Sequence, residues 1–199
     1  MPALMPQLKI AVLGSGKGSN FRAILSAIMA GHLRVTPVLA ASDVPDAGIL
    51  TLADNLGIPT TTIHEPKYRT RLSDEVESML VKELQASRAD LIVLAGYMRL
   101  VKSPLLEAFP RRIINIHPSL LPSFPGLEAW KQALSAGVKT TGCTVHFVDS
   151  GMDTGEIIAQ SPVNILPGDT PETLHARIQE AEHQLYPEVL ARFARRELP

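Results

Sequence analysis

Apolar positions along the chain alternate between two periods. Leu8 to Leu13 form a short apolar run closed by Gly14, which suits a buried strand. Beyond the loop Gly14-Ser15-Gly16-Lys17-Gly18-Ser19-Asn20, apolar residues recur at Phe21, Ile24, Leu25, Ile28 and Met29. That spacing marks one face of an amphipathic helix, with Gly31 as its stop. Val35 to Ala41 predicts a second strand, which Pro37 pushes toward a sheet edge or a late start. A helix from about Ala47 to Leu56 ends at Gly57, and a short strand near Thr60 to Ile63 follows Pro59. Leu72, Val76, Met79, Leu80 and Leu84 mark the next helix face, and Leu91 to Ala95, the most continuous apolar run, reads as a central strand.

The second half continues the alternation and then departs from it. Ser103-Pro104 reads as a cap and first residue of a short helix through Phe109. Arg112 to His117 predicts a strand, followed by a proline-punctuated loop to Gly126 and a helix to about Ala136. Cys143 to Val148 and Glu156 to Ile165 read as two strands joined by a tight turn, and Thr170-Pro171 opens a long last helix through about Phe193. Strands separated by helices need right-handed crossovers and a largely parallel sheet. The expected fold is therefore α/β: one doubly wound domain over residues 1–199, mostly parallel, with helices on both faces and late antiparallel strands. Residues 1–7 read as a flexible extension, without the basic start and apolar run of a secretory signal.

Composition narrows the function more than the fold. A length of 199 residues fits one domain, able to bury roughly 70% of its unfolded surface. Lys+Arg 19 against Asp+Glu 20 gives a net charge of −1, which removes the electrostatic case for nucleic acid or an anionic membrane as main partner. Aromatic residues at 5% leave little material for stacking bases. The single cysteine, Cys143, forbids an intrachain disulfide and a cysteine-cluster zinc site; inside an alternating strand it reads as a small buried hydrophobe. With no run long enough to span a membrane, these features suggest a cytoplasmic protein.

The glycine loop is the first candidate site. A glycine-rich turn between strand and helix aims free backbone N–H groups at one spot on the positive end of the helix dipole, where phosphate is the usual occupant. Ser19 stands where the dinucleotide fingerprint wants its third glycine, and Lys17 is followed by Gly18 rather than by the Ser or Thr of a P-loop. Two readings remain: a phosphomonoester held by the N–H groups of Gly18, Ser19 and Asn20, or a tight turn with Asn20 capping the helix. Asp43, just after the second strand, occupies the place of a ribose-binding acid and keeps a dinucleotide oxidoreductase open.

The second candidate lies further on. Asn115 and His117 are two apart on one strand, so they leave the same face, and Pro118 ends the strand just beyond them. They therefore sit at a carboxyl end, where open parallel sheets keep their ligand crevice. An amide can donate to an oxyanion and an imidazole can donate or relay a proton, which suits acyl-group chemistry. Asp153, in the turn Gly151-Met152-Asp153-Thr154-Gly155, could supply the third group by favouring an imidazolium. No two of the six histidines stand at i, i+4, so no helical zinc motif forms; His117, His146 and Asp153 converging on a metal is the lesser alternative.

At this point the residues carry a resemblance. Asn115-Ile116-His117-Pro118-Ser119-Leu120-Leu121-Pro122, followed by Gly126, closely resembles the signature of the folate-dependent formyltransferases. Leu94-Ala95-Gly96-Tyr97-Met98-Arg99, Thr141-Gly142-Cys143-Thr144-Val145-His146-Phe147-Val148 and the Asp153 turn follow in the family's order over nearly the whole chain. The resemblance implies transfer of a formyl group from 10-formyltetrahydrofolate, as co-substrate, to the amine of glycinamide ribonucleotide, without a metal or a covalent enzyme intermediate. It implies Asn115, His117 and Asp153 as catalytic residues, and Gly18, Ser19 and Asn20 with Gln179 and Glu182 as ribonucleotide contacts. Arg71, Met98, Arg99, Leu100, Val101 and Asn115 are the implied folate contacts. Lys17 departs from the Asn commoner in the family's loop, an extra cation that a phosphate should tolerate; Pro125 to Glu128 is a variable stretch and receives no role. A tRNA-directed formyltransferase would need a further domain and basic excess. A formylfolate deformylase would lack the Gly18-Ser19-Asn20 loop, and a silent nucleotide- or folate-binding module would have no use for His117 and Asp153 together.

Overall fold

In a computed structural model, residues 7–199 are described, so the expected N-terminal extension lies outside the described residues apart from Gln7. Among the described residues seven strands and six helices follow one another, beginning with β1 (Leu8–Leu13), α1 (Ser19–Met29), β2 (Val35–Ser42), α2 (Gly48–Asp54), β3 (Thr60–Thr62), α3 (Asp74–Ala86) and β4 (Leu91–Leu94). The remainder is α4 (Ser103–Ala108), β5 (Ile113–His117), α5 (Ala129–Ser135), β6 (Thr140–Phe147), β7 (Ile157–Asn164) and α6 (Pro171–Ala194). They form one sheet in the order β3-β2-β1-β4-β5-β6-β7. Pairing is parallel from β3 to β5 and antiparallel where β6 and β7 are added. The chain runs outward from β1 in one direction and from β4 in the other, so the order reverses between these two neighbours.

Strand alternation builds two cores from one sheet. Ile10 and Val12 of β1 point into a core shared with α1, α2 and α6, whereas Ala11 and Leu13 point into a second with α3 and α4. All four residues of β4 are buried, as expected for a strand covered on both faces. Pro37 is not on an edge strand, but β3 pairs only with Ala40–Ser42, so at Pro37 β2 has a neighbour on one side only. The register with β1 also shifts there, from Ile10↔Pro37 to Ala11↔Leu39, which accommodates the missing N–H.

Four local expectations are corrected. Met29 is 76% exposed: it lies about 80° round the helix from Phe21, at the margin of the buried stripe. Met79 is 62% exposed, because the inward face of α3 is Glu77, Leu80 and Leu84, with a carboxylate in a core position. That carboxylate explains the third correction. Ser103 is the first helical residue of α4 rather than its cap, and Lys102 before it is held by its N–H donating to Glu77 Oε1 at 2.8 Å. Finally, β6 and β7 are joined by a folded loop, not a tight turn. Asp149 Oδ1 accepts from the Gly151 N–H (3.0 Å) and the Thr154 hydroxyl (2.7 Å), and a Cβ on Gly155 would overlap the Phe147 carbonyl oxygen.

Helix α6 closes the first core. It begins with Thr170 accepting from the Thr173 N–H while the Thr173 hydroxyl accepts from the Thr170 N–H, a reciprocal cap. Tyr186, fully buried, donates its hydroxyl to Leu94 O of β4 at 2.8 Å and lies 3.2 Å from Ile114 O of β5. Among the described residues no helix is long and apolar enough to cross a membrane. Tyr186→Phe should lower stability by about 1–2 kcal/mol with little change in the denaturant slope, because it strips a donor from buried strand carbonyls without opening a large cavity. Urea unfolding followed by circular dichroism checks this, and an unchanged midpoint would show that the hydroxyl is dispensable.

Candidate active site

The reversal between β1 and β4 leaves a crevice at the carboxyl ends of the strands, where doubly wound sheets bind ligands. The glycine loop leaves β1 on one side of it and the segment after β4 returns on the other. Ser15 N–H donates to Gly96 O (3.0 Å), and the Met98 N–H donates to the Ser15 hydroxyl (2.9 Å). β5 ends one strand further along, carrying Asn115 and His117 from one face, and β6 lies antiparallel beside it with His146 opposite Asn115 and Thr144 opposite His117.

The structure brings Asn115, His117 and Asp153 together. His117 is buried, with Nε2 2.9 Å from the Phe124 carbonyl oxygen and Nδ1 3.3 Å from Asp153 Oδ2. Both ring nitrogens face acceptors, and only an imidazolium can donate at both. Asp153 has a left-handed backbone (φ 56°), and its Oδ2 also accepts from the Gly126 N–H at 2.8 Å. Its Oδ1 has no comparably close partner, His146 Nε2 lying 3.7 Å away.

His146 completes the group, and the sequence offered it only to the metal alternative. Burial pushes its pKa down, so the ring is neutral. Its Nδ1–H donates to Phe147 O at 2.8 Å, which leaves Nε2 to accept from the Asn115 amide at 3.3 Å. The contact orients the amide with one Nδ2–H still available. Finding this from sequence would have required the β5–β6 register. No set of His, Cys, Asp or Glu side chains among the described residues is arranged to hold a metal ion.

The loop that receives His117 is itself pinned. The Ser119 hydroxyl donates to Ser123 O (2.6 Å), the Thr144 hydroxyl donates to Ser119 O (2.6 Å) and accepts from the Leu121 N–H (3.0 Å), and Gln160 donates to Leu121 O (2.9 Å). A cavity of about 210 Å³ opens beside Asp153, walled by Leu121, Pro122, Pro125, Met152 and Ile157. A larger hollow of about 450 Å³ between β7 and α6 is lined by none of the nominated residues.

At the glycine loop, Gly18 is the N-cap of α1 in a left-handed conformation (φ 75°), and a Cβ there would sit 3.0 Å from Ile49 Cα. No side chain caps the helix, and its first backbone bond is Arg22 N–H to Gly18 O, so the turn starting at Ser19 and Asn20 keeps its N–H groups outside the helical ladder. Asn20 is therefore not the cap. It donates through Nδ2 to Glu182 Oε2 of α6 (2.8 Å), and its buried Oδ1 has no partner. Burial pushes the Glu182 carboxyl up to about 7, against the opposing pull of the Asn20 bond. Gln179 lies one turn before it and is partly exposed.

The nominated folate residues divide. Met98 (59%) and Leu100 (36%) are exposed, whereas Val101 is packed in the second core. The Arg99 guanidinium is engaged internally: Nε donates to Asp43 Oδ2 at 2.6 Å, and the same side chain reaches the carbonyls of Tyr68 and Arg71. Arg71 lies with its own guanidinium 4.0 Å above the Tyr68 ring and bridges to Leu100. Asp43 has its other oxygen on the Ser15 hydroxyl (2.5 Å), so it is not the free ribose acid that the oxidoreductase reading needed. Cys143 is fully buried and its thiol is pushed up to about 12 by burial, which removes it as a nucleophile.

Residues 8–190 match the family described as formyl transferase. The phosphoribosylglycinamide formyltransferase of Bacillus subtilis (strain 168) is 44% identical over 182 residues, covering 92% of each chain. The trifunctional purine biosynthetic protein adenosine-3 of Drosophila pseudoobscura pseudoobscura is 46% identical over 191 residues, 95% of this chain but 14% of that much longer one. The crystal structure of glycinamide ribonucleotide transformylase 1 from Symbiobacterium toebii superposes with a TM-score of 0.91 at 47% identity, covering 97% of this chain and 90% of that one.

Glu182 gives stability a specific pH dependence. Its folded pKa, about 7, lies above the 4.5 of an ordinary glutamate. The folded state therefore binds more protons between these values, and the contribution, fully present below pH 4.5, is lost as pH rises to about 7. Its full size is roughly 3 kcal/mol. Glu182→Gln should flatten that part of the stability–pH curve, as measured by urea unfolding at a series of pH values; a parallel curve displaced at every pH would assign the slope elsewhere.

Proposed function

The chain belongs to the formyl transferase family, and on that premise we propose that it moves the formyl group of 10-formyltetrahydrofolate onto the amine of glycinamide ribonucleotide. The observation that carries the reading is the convergence of an oriented amide, a buried imidazole with an oxygen acceptor beside each ring nitrogen, and a carboxylate with one uncommitted oxygen at the strand ends. The uncapped start of α1 supports the choice of acceptor, because it is suited to the phosphate of a ribonucleotide. Ser19 and Asn20 would bind it through backbone N–H groups, next to the turn at Gly18. Gln179 and Glu182 face sugar hydroxyls in this reading.

The chemistry follows from the residues. The neutral amine attacks the formyl carbon, and the carbonyl π electrons move onto oxygen. The remaining Asn115 N–H and the positive charge of His117 stabilise that oxyanion. The Nδ1 contact of His117 to Asp153, at 3.3 Å, is longer than a charge-assisted hydrogen bond of about 2.7–2.9 Å, so the same N–H can be shared with a developing oxyanion. Asp153 Oδ1 accepts a proton from the attacking nitrogen, directly or through water, and passes it to N10 of the folate as the oxyanion electrons reform the carbonyl and the bond from N10 to the formyl carbon breaks. The apolar cavity beside Asp153 and the exposed Met98 and Leu100 supply a surface for the flat folate ring. Lys17, exposed in the glycine loop, adds a cation beside the phosphate.

Deformylation of 10-formyl-5,8-dideazafolate, followed spectroscopically, should require glycinamide ribonucleotide. Release without the ribonucleotide, and indifferent to it, would instead indicate a hydrolase on this fold; no release at all would favour a binding module. His117→Asn and Asp153→Ala should each lower turnover by about 10²–10⁴-fold while changing ribonucleotide affinity by less than about threefold. Turnover within about threefold of the parent in either variant would remove that residue from the catalytic group.

A further inference from the structure

One buried polar cluster lies outside the catalytic group. Asp43, at the end of β2, and Arg99, after β4, form an ion pair at 2.6 Å with side chains only 7% and 12% exposed. The two partners contact three other segments. Asp43 Oδ1 accepts from the Ser15 hydroxyl at 2.5 Å, and the Ser15 oxygen in turn accepts from the Met98 N–H at 2.9 Å. Arg99 ties the opposite side down through the carbonyls of Tyr68 and Arg71. A buried ion pair gives little net stability over apolar packing, so its presence at the seam between loops calls for another account. Here it fastens the glycine loop of β1 to the 97–101 segment of β4.

The connection is specific in its chemistry. Ser15 is the only side chain in the cluster that both donates and accepts, donating to Asp43 and accepting from Met98. Gly16 and Lys17, next to it, are exposed, and the loop beyond is held by a backbone bond of 3.3 Å from Ile49 N–H to Gly16 O. An anion gathered by the N–H groups that follow would restrict this loop and, through Ser15, the Met98 backbone. A partner that binds an already restricted segment loses less conformational entropy on binding.

We propose that Ser15 and Asp43 are positioning residues that join the two substrate half-sites, so that phosphate on the glycine loop tightens binding of the formyl donor. The inference rests on the reading of the glycine loop as the phosphate site and of residues 98–101 as the donor wall. Coupling of this kind is reciprocal: donor binding tightens phosphate binding by the same factor. It acts through the protein rather than through contact between the two substrates, which allows a test with a probe confined to the loop.

The probe is inorganic phosphate. Binding of 10-formyl-5,8-dideazafolate is measured calorimetrically without and with saturating phosphate, ionic strength being held constant with chloride. In the parent protein phosphate should tighten donor binding by about fivefold or more. In Ser15→Ala, which leaves the ion pair intact but releases the Met98 N–H from the glycine loop, the ratio should fall to about one. Asp43→Asn, with one carbonyl oxygen to serve two donors, should reduce it likewise; thermal unfolding reports whether each variant is folded, and Ser15→Ala decides the matter if Asp43→Asn is not. A role confined to stability would move the melting temperature and leave the ratio unchanged, and that outcome overturns the proposal. So does a parent protein indifferent to phosphate while its ribonucleotide-dependent deformylation persists, since the functional reading then stands without the coupling. Failure of the parent to bind the donor even with glycinamide ribonucleotide present would overturn both.

Discussion

A sheet covered on both faces has no lateral surface on which to present polar groups, and that restriction organises this molecule. Every residue of β4 is buried and β1 divides its side chains between two cores, so an uncompensated polar group inside either layer would be costly. Polar chemistry is consequently displaced to the carboxyl ends of the strands. There the parallel arrangement gathers the loop after β1, the segment after β4 and the end of β5, although they are remote in sequence.

The antiparallel strands modify this plan in a useful way. A sixth parallel strand would have needed another crossover and would have brought its own loop to the same crowded end. β6 instead runs back along β5, so residues from the middle of a strand are placed opposite Asn115 and His117. His146 can then orient an amide and Thr144 can pin a loop, both from a rigid element. The connection from β6 to β7 returns over the strand ends and delivers Asp153 in a left-handed conformation braced by Asp149 and Gly155. The geometry of the candidate site is thus shared between a parallel half that supplies the crevice and an antiparallel half that supplies the support.

Much of this was legible in the chain itself. The alternation of periods located every strand and helix within a few residues, and the two-residue spacing of Asn115 and His117 was enough to put them on one face at a strand end. Illegible features depended on partners far away. The pattern at Leu72, Val76 and Met79 took the inward face of α3 to be apolar throughout, whereas Glu77 is buried because a backbone N–H at Lys102 awaits it. Ser103 looked like a cap for the same reason. Asn20 resembled a cap until α6 supplied Glu182 as its neighbour, 162 residues on. His146 entered only as a candidate metal ligand and as part of the Thr141 to Val148 segment, since its contact with Asn115 is set by register. Candidate-site residues set by strand position were readable; the long-range hydrogen-bond partners of the rest were not.

The closure of the first core by α6 has a temporal consequence. Leu174, Ile178, Tyr186, Val189 and Leu190 fill the same layer as α1, and Tyr186 fastens β4 to β5 from that side. During synthesis every strand of the sheet emerges before this helix does, leaving the first core, on which α1 and α2 already lie, without its last cover while the opposite face, served by α3 and α4, can already pack. The molecule is therefore assembled asymmetrically. One layer matures as the chain lengthens, and the other must wait for contacts of very large sequence separation, the class that closes most slowly.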